Sequence, residues 1–308
     1  MPKFPFMQAV AFYLFYPIIW IISRLPFRLA YVLSDFVFLI LYYVVGYRKE
    51  VIKKNLKIAF PNKSDAERKE LAKKSTQHFC DIFIEMVKSM GMSTESMRSR
   101  FTCDDIEEPN AYAIAGKPII VMFGHQASYE WTMVLQERLA SMVYAVYKPL
   151  KNKQFDNLIR SIRKKFGSEM VAMNGAAKLL KTDLGKRTPL IAMVADQSPA
   201  GYRAQSFTKF FNKSSAVFRG SEKMAADYAL PVFYLKVSKV KRGYYHAEFI
   251  KICDDGSQVP EWYVTDTFFS LLEAQIKEQP EYYLWSHKRW KITPETATRA
   301  VELSPLIR

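Results

Sequence analysis

His125 and Glu130 stand five residues apart in GHQASYEW, Gly124 to Trp131, and a histidine beside a carboxylate is the simplest general-base pair a chain can build. A carboxylate bonded to one imidazole nitrogen fixes the tautomer and stabilises the imidazolium. The other nitrogen is then free to take a proton from an attacking group. On an α-helix each residue turns about 100°, so positions five apart point about 140° away from each other. The two side chains meet only if His125 lies in the turn after a strand and Glu130 in the first turn of the following helix. Ser128 lies between them but lacks the G-x-S-x-G setting of a nucleophilic serine. The substrate must then bring its own nucleophile, a hydroxyl or an amine. A positioned base contributes roughly 10²- to 10⁴-fold in rate, enough for an activated acyl donor such as a thioester without a metal. H-x₄-E alone has only two fixed positions and equally fits a loop histidine and a solvated helix glutamate, so its context has to decide.

The flanking sequence supplies the required elements. PIIVMF (Pro118 to Phe123) reads as a strand and TMVLQERLASM as the helix after it. Further β-rich apolar runs occur at MVYAVY, PLIAMVA and PVFYLKV, with helical stretches near 127–139, 152–166 and 217–229 between them. Strands alternating with helices predict an α/β layer structure with a mostly parallel central sheet, and ligand groups gather at the carboxyl ends of such strands. KVKRGYYHAEFI (Lys239 to Ile250) predicts a hairpin turning at Arg242 and Gly243, which makes the sheet mixed. Ser64 to Glu67 has capping-box spacing for a helix running to about Ser89, and a last amphipathic helix fits Glu261 to Lys277. No repeat or long linker interrupts this part, so residues 47–308 read as one domain.

The N-terminus differs. Between Phe4 and Ile22 the only strongly polar residue is Gln8, which makes the run about long enough for a tilted membrane helix. A second apolar run follows Pro26 and reaches Gly46, interrupted by Arg28, Ser34 and Asp35. Its uninterrupted part, Phe36 to Val45, is short for a span by itself. Bulky residues stand where a signal peptide would be cleaved, so a retained anchor over residues 1–46 is expected. YRKEVIKKNLKIAF then interleaves Arg48, Lys49, Lys53, Lys54 and Lys57 with apolar residues, which predicts a basic amphipathic helix on anionic lipid. The same pattern fits a surface helix covering the core. The lysines and arginines that follow the anchor place the body of the protein on the cytoplasmic side.

The 308 residues carry 45 Lys and Arg against 30 Asp and Glu, a net charge of +15, which suits anionic partners. Nucleic acid would fit the charge, but no helix-turn-helix, RRM or zinc-finger pattern occurs and the basic residues are scattered. Cys80, Cys103 and Cys253 are odd in number and widely spaced, which argues against a disulfide framework or a zinc site.

Taken in order, SRLPFRLAYVLSDFVFLILYYVVGYRKEVIKKNLKIAFP, GHQASYEW, YKPLKN with RSIRKKFG, VADQSP, FTKFFNK with SAVFRGSEKMA, and PEYYLWSHKRWK resemble the lipid A biosynthesis acyltransferases, the lauroyl and myristoyl transferases of the wider lysophospholipid acyltransferase superfamily. The likeness runs over nearly the whole chain. It implies a glycerol-3-phosphate acyltransferase-like α/β fold, no cofactor beyond the acyl thioester of acyl carrier protein, and a lipid A precursor as acceptor at the bacterial inner membrane. By resemblance, His125 is the general base and Glu130 its orienting partner, Arg163 is a basic motif position, and Asp196 and Gln197 are the DQ pair. The resemblance makes Arg163, Asp196 and Gln197 substrate-binding residues, Arg163 as a phosphate or carrier-protein contact, while Arg163 also fits a solvated helix face with Lys164 and Lys165, and Asp196 a helix cap. Arg219 either neutralises a lipid phosphate or pairs with Glu222. His287, between Trp285 and Trp290, reads as a packing or membrane-interface residue rather than a second base. The family often has another acidic or aromatic residue where this chain has Ser198 and Pro199.

Overall fold

The structure, a computed structural model, describes residues 4–181, 187–201 and 204–307. Its strands are β1 (Phe101–Asp104), β2 (Ile119–Phe123), β3 (Met142–Tyr147), β4 (Glu169–Ala172), β5 (Pro189–Val194), β6 (Ser206–Phe210), β7 (Lys213–Ala216), β8 (Val232–Lys241), β9 (Tyr244–Cys253) and β10 (Glu302–Leu303). Its helices are α1 (Phe4–Arg24), α2 (Phe27–Leu39), α3 (Lys49–Ala59), α4 (Asp65–Ser89), α5 (Thr94–Arg98), α6 (Glu107–Ile114), α7 (Lys153–Lys164), α8 (Ala176–Leu179), α9 (Gly220–Asp227) and α10 (Tyr263–Glu278).

Seven strands form one sheet in the order β1-β9-β8-β2-β5-β3-β4, in which only the β8–β9 hairpin is antiparallel. The expected mixed, mostly parallel sheet is therefore present, and the hairpin turns at Arg242 and Gly243. β2 lies at its middle, and its residues Ile119 to Phe123 are all buried, as a strand covered on both faces requires. FTKFFNK and the residues after it form a second sheet, β10-β6-β7. Phe211 and Asn212 take φ values of 52° and 55°, the left-handed pair of a tight hairpin turn.

α4 begins at the expected capping box, with Ser64 accepting from the Glu67 N–H and the Glu67 carboxylate accepting from the Ser64 N–H. Its far end is capped by Lys165, whose Nζ donates to the carbonyls of Ser89, Met90 and Met92. α2 continues as a π-helical turn over Ile40–Val45, so the second apolar run forms one helical stretch, Phe27–Val45. That stretch is long and apolar enough to cross a membrane, and 22% of its most apolar window is buried against the protein. The Phe36–Val45 limit on its length is thus corrected, because Asp35 is held by Arg242 and Gln77 and does not break the helix.

The basic helix α3 departs from its predicted role on lipid. Its apolar face, Ile52, Leu56 and Ala59, is buried in the main core, and Asn55 donates to the carbonyls of Trp285 and His287. The lysines Lys53, Lys54 and Lys57 face outward. The surface-helix alternative holds, because the apolar stripe is consumed by the protein itself.

Candidate active site

β2 and β5 are parallel neighbours in register, Phe123 opposite Val194. Two residues beyond each strand stand His125 and Asp196, so the pairing carried past the strand ends brings them together. Asp196 Oδ1 lies 2.5 Å from His125 Nδ1, and the Gln197 amide is 3.1 Å from His125 Nε2. This network assigns a proton to Nδ1 and a lone pair to Nε2, the orientation a base needs. Gln197 holds the position at Nε2 where an incoming hydroxyl would have to sit.

Glu130 is elsewhere engaged. The segment expected as a helix over 127–139 is a 3-10 helix, Tyr129–Glu137, and Glu130 in its first turn grips Arg163 of α7 through a bidentate pair at 2.9 and 2.6 Å. The turn-to-helix placement is present, yet the carboxylate on His125 is that of Asp196. The expected His125–Glu130 pairing is corrected on this point, because the parallel register delivers Asp196 to Nδ1 and Arg163 takes both Glu130 oxygens. Arg163 is accordingly no solvated face residue. Burial opposes its charge, but Glu130, by charge and hydrogen bond, together with Tyr129 and Asp156, outweighs burial and raises its pKa. Tyr129 links the two pairs, its ring edge-on to His125 at 4.8 Å.

Asp196 is 2% exposed. Burial alone would raise its pKa, but His125, by charge and hydrogen bond, and Arg289 together bring it down to about 2. It therefore stays ionised opposite the imidazole. Arg289, fully enclosed, donates to the Asp196 backbone carbonyl and packs over the rings of Phe210 and Phe269. His287 Nε2 accepts from the Ser198 N–H at 3.0 Å, and Ser198 Oγ donates to the Arg289 carbonyl at 2.8 Å. Burial first, then Arg289, pushes the His287 pKa down to about 4, so it is the neutral acceptor this contact requires. His287 thus braces the loop after Asp196 from within the protein rather than facing a membrane. The same C-terminal segment holds the other side: Leu284 donates to the His125 carbonyl, and the Tyr282 carbonyl accepts from Ala127. Sequence reasoning passed over Arg289 and Tyr129, although SHKRW carried the one usable signal, a histidine and an arginine between two tryptophans.

The turn is tight. Ala127 takes φ 49°, a left-handed conformation costly for alanine, and a Cβ at Gly124 would come within 2.5 Å of Leu272 in α10. Below the turn runs a groove between α4 and residues 282–286, walled by Phe79, Ile82, Phe83, Tyr283, Leu284 and Trp285, with His125 and Tyr129 among its lining. It is mostly apolar, with His78, Ser75, Thr76 and Ser286 among its polar residues.

Arg219 lies apart from this cluster. Its guanidinium contacts Glu222 at 2.9 Å, Glu261 at 2.8 Å and Glu302 at 3.4 Å, and stacks on Trp262. The structural pairing prevails over the phosphate ligand, since the side chain is buried and already faces three carboxylates. No group of three or more His, Cys, Asp or Glu positioned to hold a metal occurs among the described residues. Cys80, Cys103 and Cys253 are free and buried.

An ionised aspartate on one imidazole nitrogen, at the carboxyl end of a parallel sheet and beside an apolar groove, is an arrangement suited to taking a proton from a group bound next to an apolar chain. Comparison with known families makes the class specific. Residues 2–292 match the family model described as bacterial lipid A biosynthesis acyltransferase, and the chain belongs to that family. It is 20% identical over 249 residues, 80% of each chain, to the lipid A biosynthesis palmitoleoyltransferase of Escherichia coli (strain K12). The lipid A biosynthesis acyltransferase of Shigella flexneri is similar to the same extent. The chain is an acyltransferase of lipid A biosynthesis.

Proposed function

We propose that the chain moves a fatty acyl group from acyl carrier protein to a hydroxyl of a lipid A precursor, with His125 as general base. Asp196 orients His125 and compensates its charge as the proton arrives. The acceptor hydroxyl replaces the Gln197 amide at Nε2 and attacks the thioester carbonyl. The C–O bond forms, the proton passes to His125, the C–S bond breaks, and the carrier thiol leaves with the proton returned by His125. Gln197 then holds the acceptor oxygen, and the groove between α4 and residues 282–286 takes an acyl chain. The observation that carries this reading is the line Asp196–His125–Gln197 beside an apolar groove. Glu130 and Arg163 act as a pair that sets α7 against the catalytic turn.

The +15 charge suits both an acidic carrier protein and a phosphorylated acceptor. Residues 1–46 form the membrane anchor in this reading, with one face of Phe27–Val45 on the bilayer of the bacterial inner membrane and its Tyr31, Ser34 and Asp35 side against the catalytic domain, 47–308, which lies on the cytoplasmic side. The exposed residues Val32, Phe36, Tyr43 and Val44 give that stretch a lipid-facing surface. The test is to incubate the purified protein with acyl carrier protein charged with different chains and with a tetraacyl lipid A precursor, then weigh the lipid product by mass spectrometry. One added acyl group is expected from the wild type and almost none from His125→Ala. Transfer only to another membrane lipid would replace the acceptor, and full transfer by folded His125→Ala would remove the base.

A further inference from the structure

His78 of α4 is 5% exposed and lines the groove beside His125 and Ala127, yet the proposed reaction makes no use of it. Its Nδ1 lies 3.3 Å from Lys239 Nζ, and Lys239 is in turn 3.6 Å from the buried carboxylate of Asp81. A lysine ammonium can only donate, so Nδ1 is the acceptor and the ring proton belongs on Nε2. That Nε2 is closed off from solvent and has no hydrogen-bond partner within normal geometry among the described residues. Burial first and Lys239 second keep the imidazole neutral, and only the backbone of Ala127 acts toward the charged ring. Tyr282 completes the arrangement. Its ring meets His78 edge-on at 4.9 Å and Lys239 at 4.8 Å, and its carbonyl accepts from the Ala127 N–H at 3.0 Å.

We infer that His78 is a positioning residue of the catalytic turn: its Nε2–H, oriented by Lys239 and Asp81, closes on the Ala127 carbonyl when the groove fills and fixes the left-handed turn that carries His125. The inference rests on the acyl-transfer reading above. Two features of the turn call for such a clamp. Ala127 sits in a left-handed conformation with no glycine to relieve it, and it is only two residues from the base. A shift of about 1 Å at a base costs on the order of 10² in rate, and catalytic hydrogen bonds are often long in the free enzyme and tighten with substrate bound. The clamp also has an origin outside the site. Asp81 accepts from Ser34 of α2 at 2.8 Å and from Arg242, which binds Asp35 of α2 as well. The seating of α2 on α4 therefore reaches the catalytic turn through Asp81, Lys239 and His78.

Two measurements test this. The chain has four histidines, so ring ¹⁵N resonances of the full-length protein in detergent are assignable by single substitutions. His78 is expected in the Nε2–H tautomer, and its proton signal is expected to move downfield when an unreactive acyl-pantetheine thioether fills the groove. A ring protonated on Nδ1, or a signal indifferent to the thioether, overturns the inference. In the transfer assay, His78→Phe is expected to lower kcat about tenfold to a hundredfold with the donor KM nearly unchanged, while His78→Gln, which keeps a donor, recovers most of the loss. Equal kinetics for His78→Phe and wild type, or equal impairment of the Phe and Gln variants, also overturns it. A wild type that transfers no acyl group refutes the acyl-transfer reading instead, and the resonance measurement still decides the role of His78.

Discussion

Asp196 and Glu85 are carboxylates with nearly the same burial, 2% and 1% exposed, and the protein treats them in opposite ways. Asp196, beyond the end of β5, is held down at about 2 because His125 and Arg289 overcome its burial. Glu85, inside α4, is pushed up to about 7 because burial prevails over the hydrogen bonds from Tyr31 and Tyr245 and the charge of Lys239. One accepts from an imidazole N–H; the other accepts from phenols. Burial alone therefore does not mark a working carboxylate. What distinguishes Asp196 is that its partner has a second nitrogen turned to the Gln197 amide, the group that the acceptor displaces in the proposed reaction. Glu85 meets only fixed hydroxyls and joins α2, α4 and β9.

The largest expected effect sharpens this contrast. Asp196→Asn should lower kcat by about 10³-fold or more while the protein stays folded, because an amide can hold the imidazole in the wrong tautomer. Glu85→Gln should leave kcat within about threefold. Comparable losses in the two variants, measured with the same acyl donor, would erase the distinction between the two carboxylates.

A half-buried acid tests whether Glu130 belongs with Asp196 or with Glu85. Its side chain is 9% exposed and its partner Arg163 23%. Removing one member of such a pair leaves a poorly compensated charge, so Arg163→Leu should cost up to about 3 kcal/mol in thermal unfolding, and Glu130→Met combined with it should restore much of that. Recovery of the melting temperature together with substantial kcat would make the pair a structural clasp. Restored stability with kcat still down by more than about 10²-fold would return Glu130 to the chemistry.

Much of the site was legible in linear sequence, and the part that was not is instructive. Gly124 to Glu130 lies where strand and turn signals place it, the capping box at Ser64 and the hairpin turn at Arg242 and Gly243 are local, and each formed as expected. The partner of His125 depends on the register between β2 and β5, a relation across 71 positions that no local pattern states. One clue was present: GHQ and ADQ each follow an apolar strand, so adjacent parallel strands would bring their second residues together. α3 failed for a related reason. Its basic stripe is compatible with lipid, but only the fold decides whether its apolar stripe meets lipid or core. β1, β4 and the β6–β7–β10 sheet are built from strands of two to five residues, too short for alternation to stand out.

The opposite shifts of the two carboxylates also give opposite pH dependences. Asp196 is lowered from 3.8, so it contributes stability that is present above about pH 4 and lost as pH falls toward 2. Glu85 is raised from 4.5, so the folded state holds its proton more tightly than the unfolded chain does. That contribution is fully present below pH 4.5 and is lost as pH rises through about 7. Glu85→Gln should therefore flatten the decline of unfolding temperature between pH 5 and 7 and leave the acid limb in place, a result that thermal melts across that range would check.

The smallest expected effect isolates the phenols. Tyr245 donates to Glu85 Oε2 at 2.7 Å, and that bond favours the ionised carboxylate. Tyr245→Phe keeps the ring that packs edge-on against Trp131 and removes only the hydroxyl, at a cost of about 1 kcal/mol near neutral pH. Because a group that lowers the Glu85 pKa is gone, the remaining pH-dependent loss of stability should shift upward, above pH 7. At pH 5, where Glu85 is protonated in both variant and wild type, the cost should shrink. A penalty independent of pH would mean that Tyr245 acts through packing alone, and Glu85 would then owe its high pKa to burial and not to the balance between burial and its two phenols.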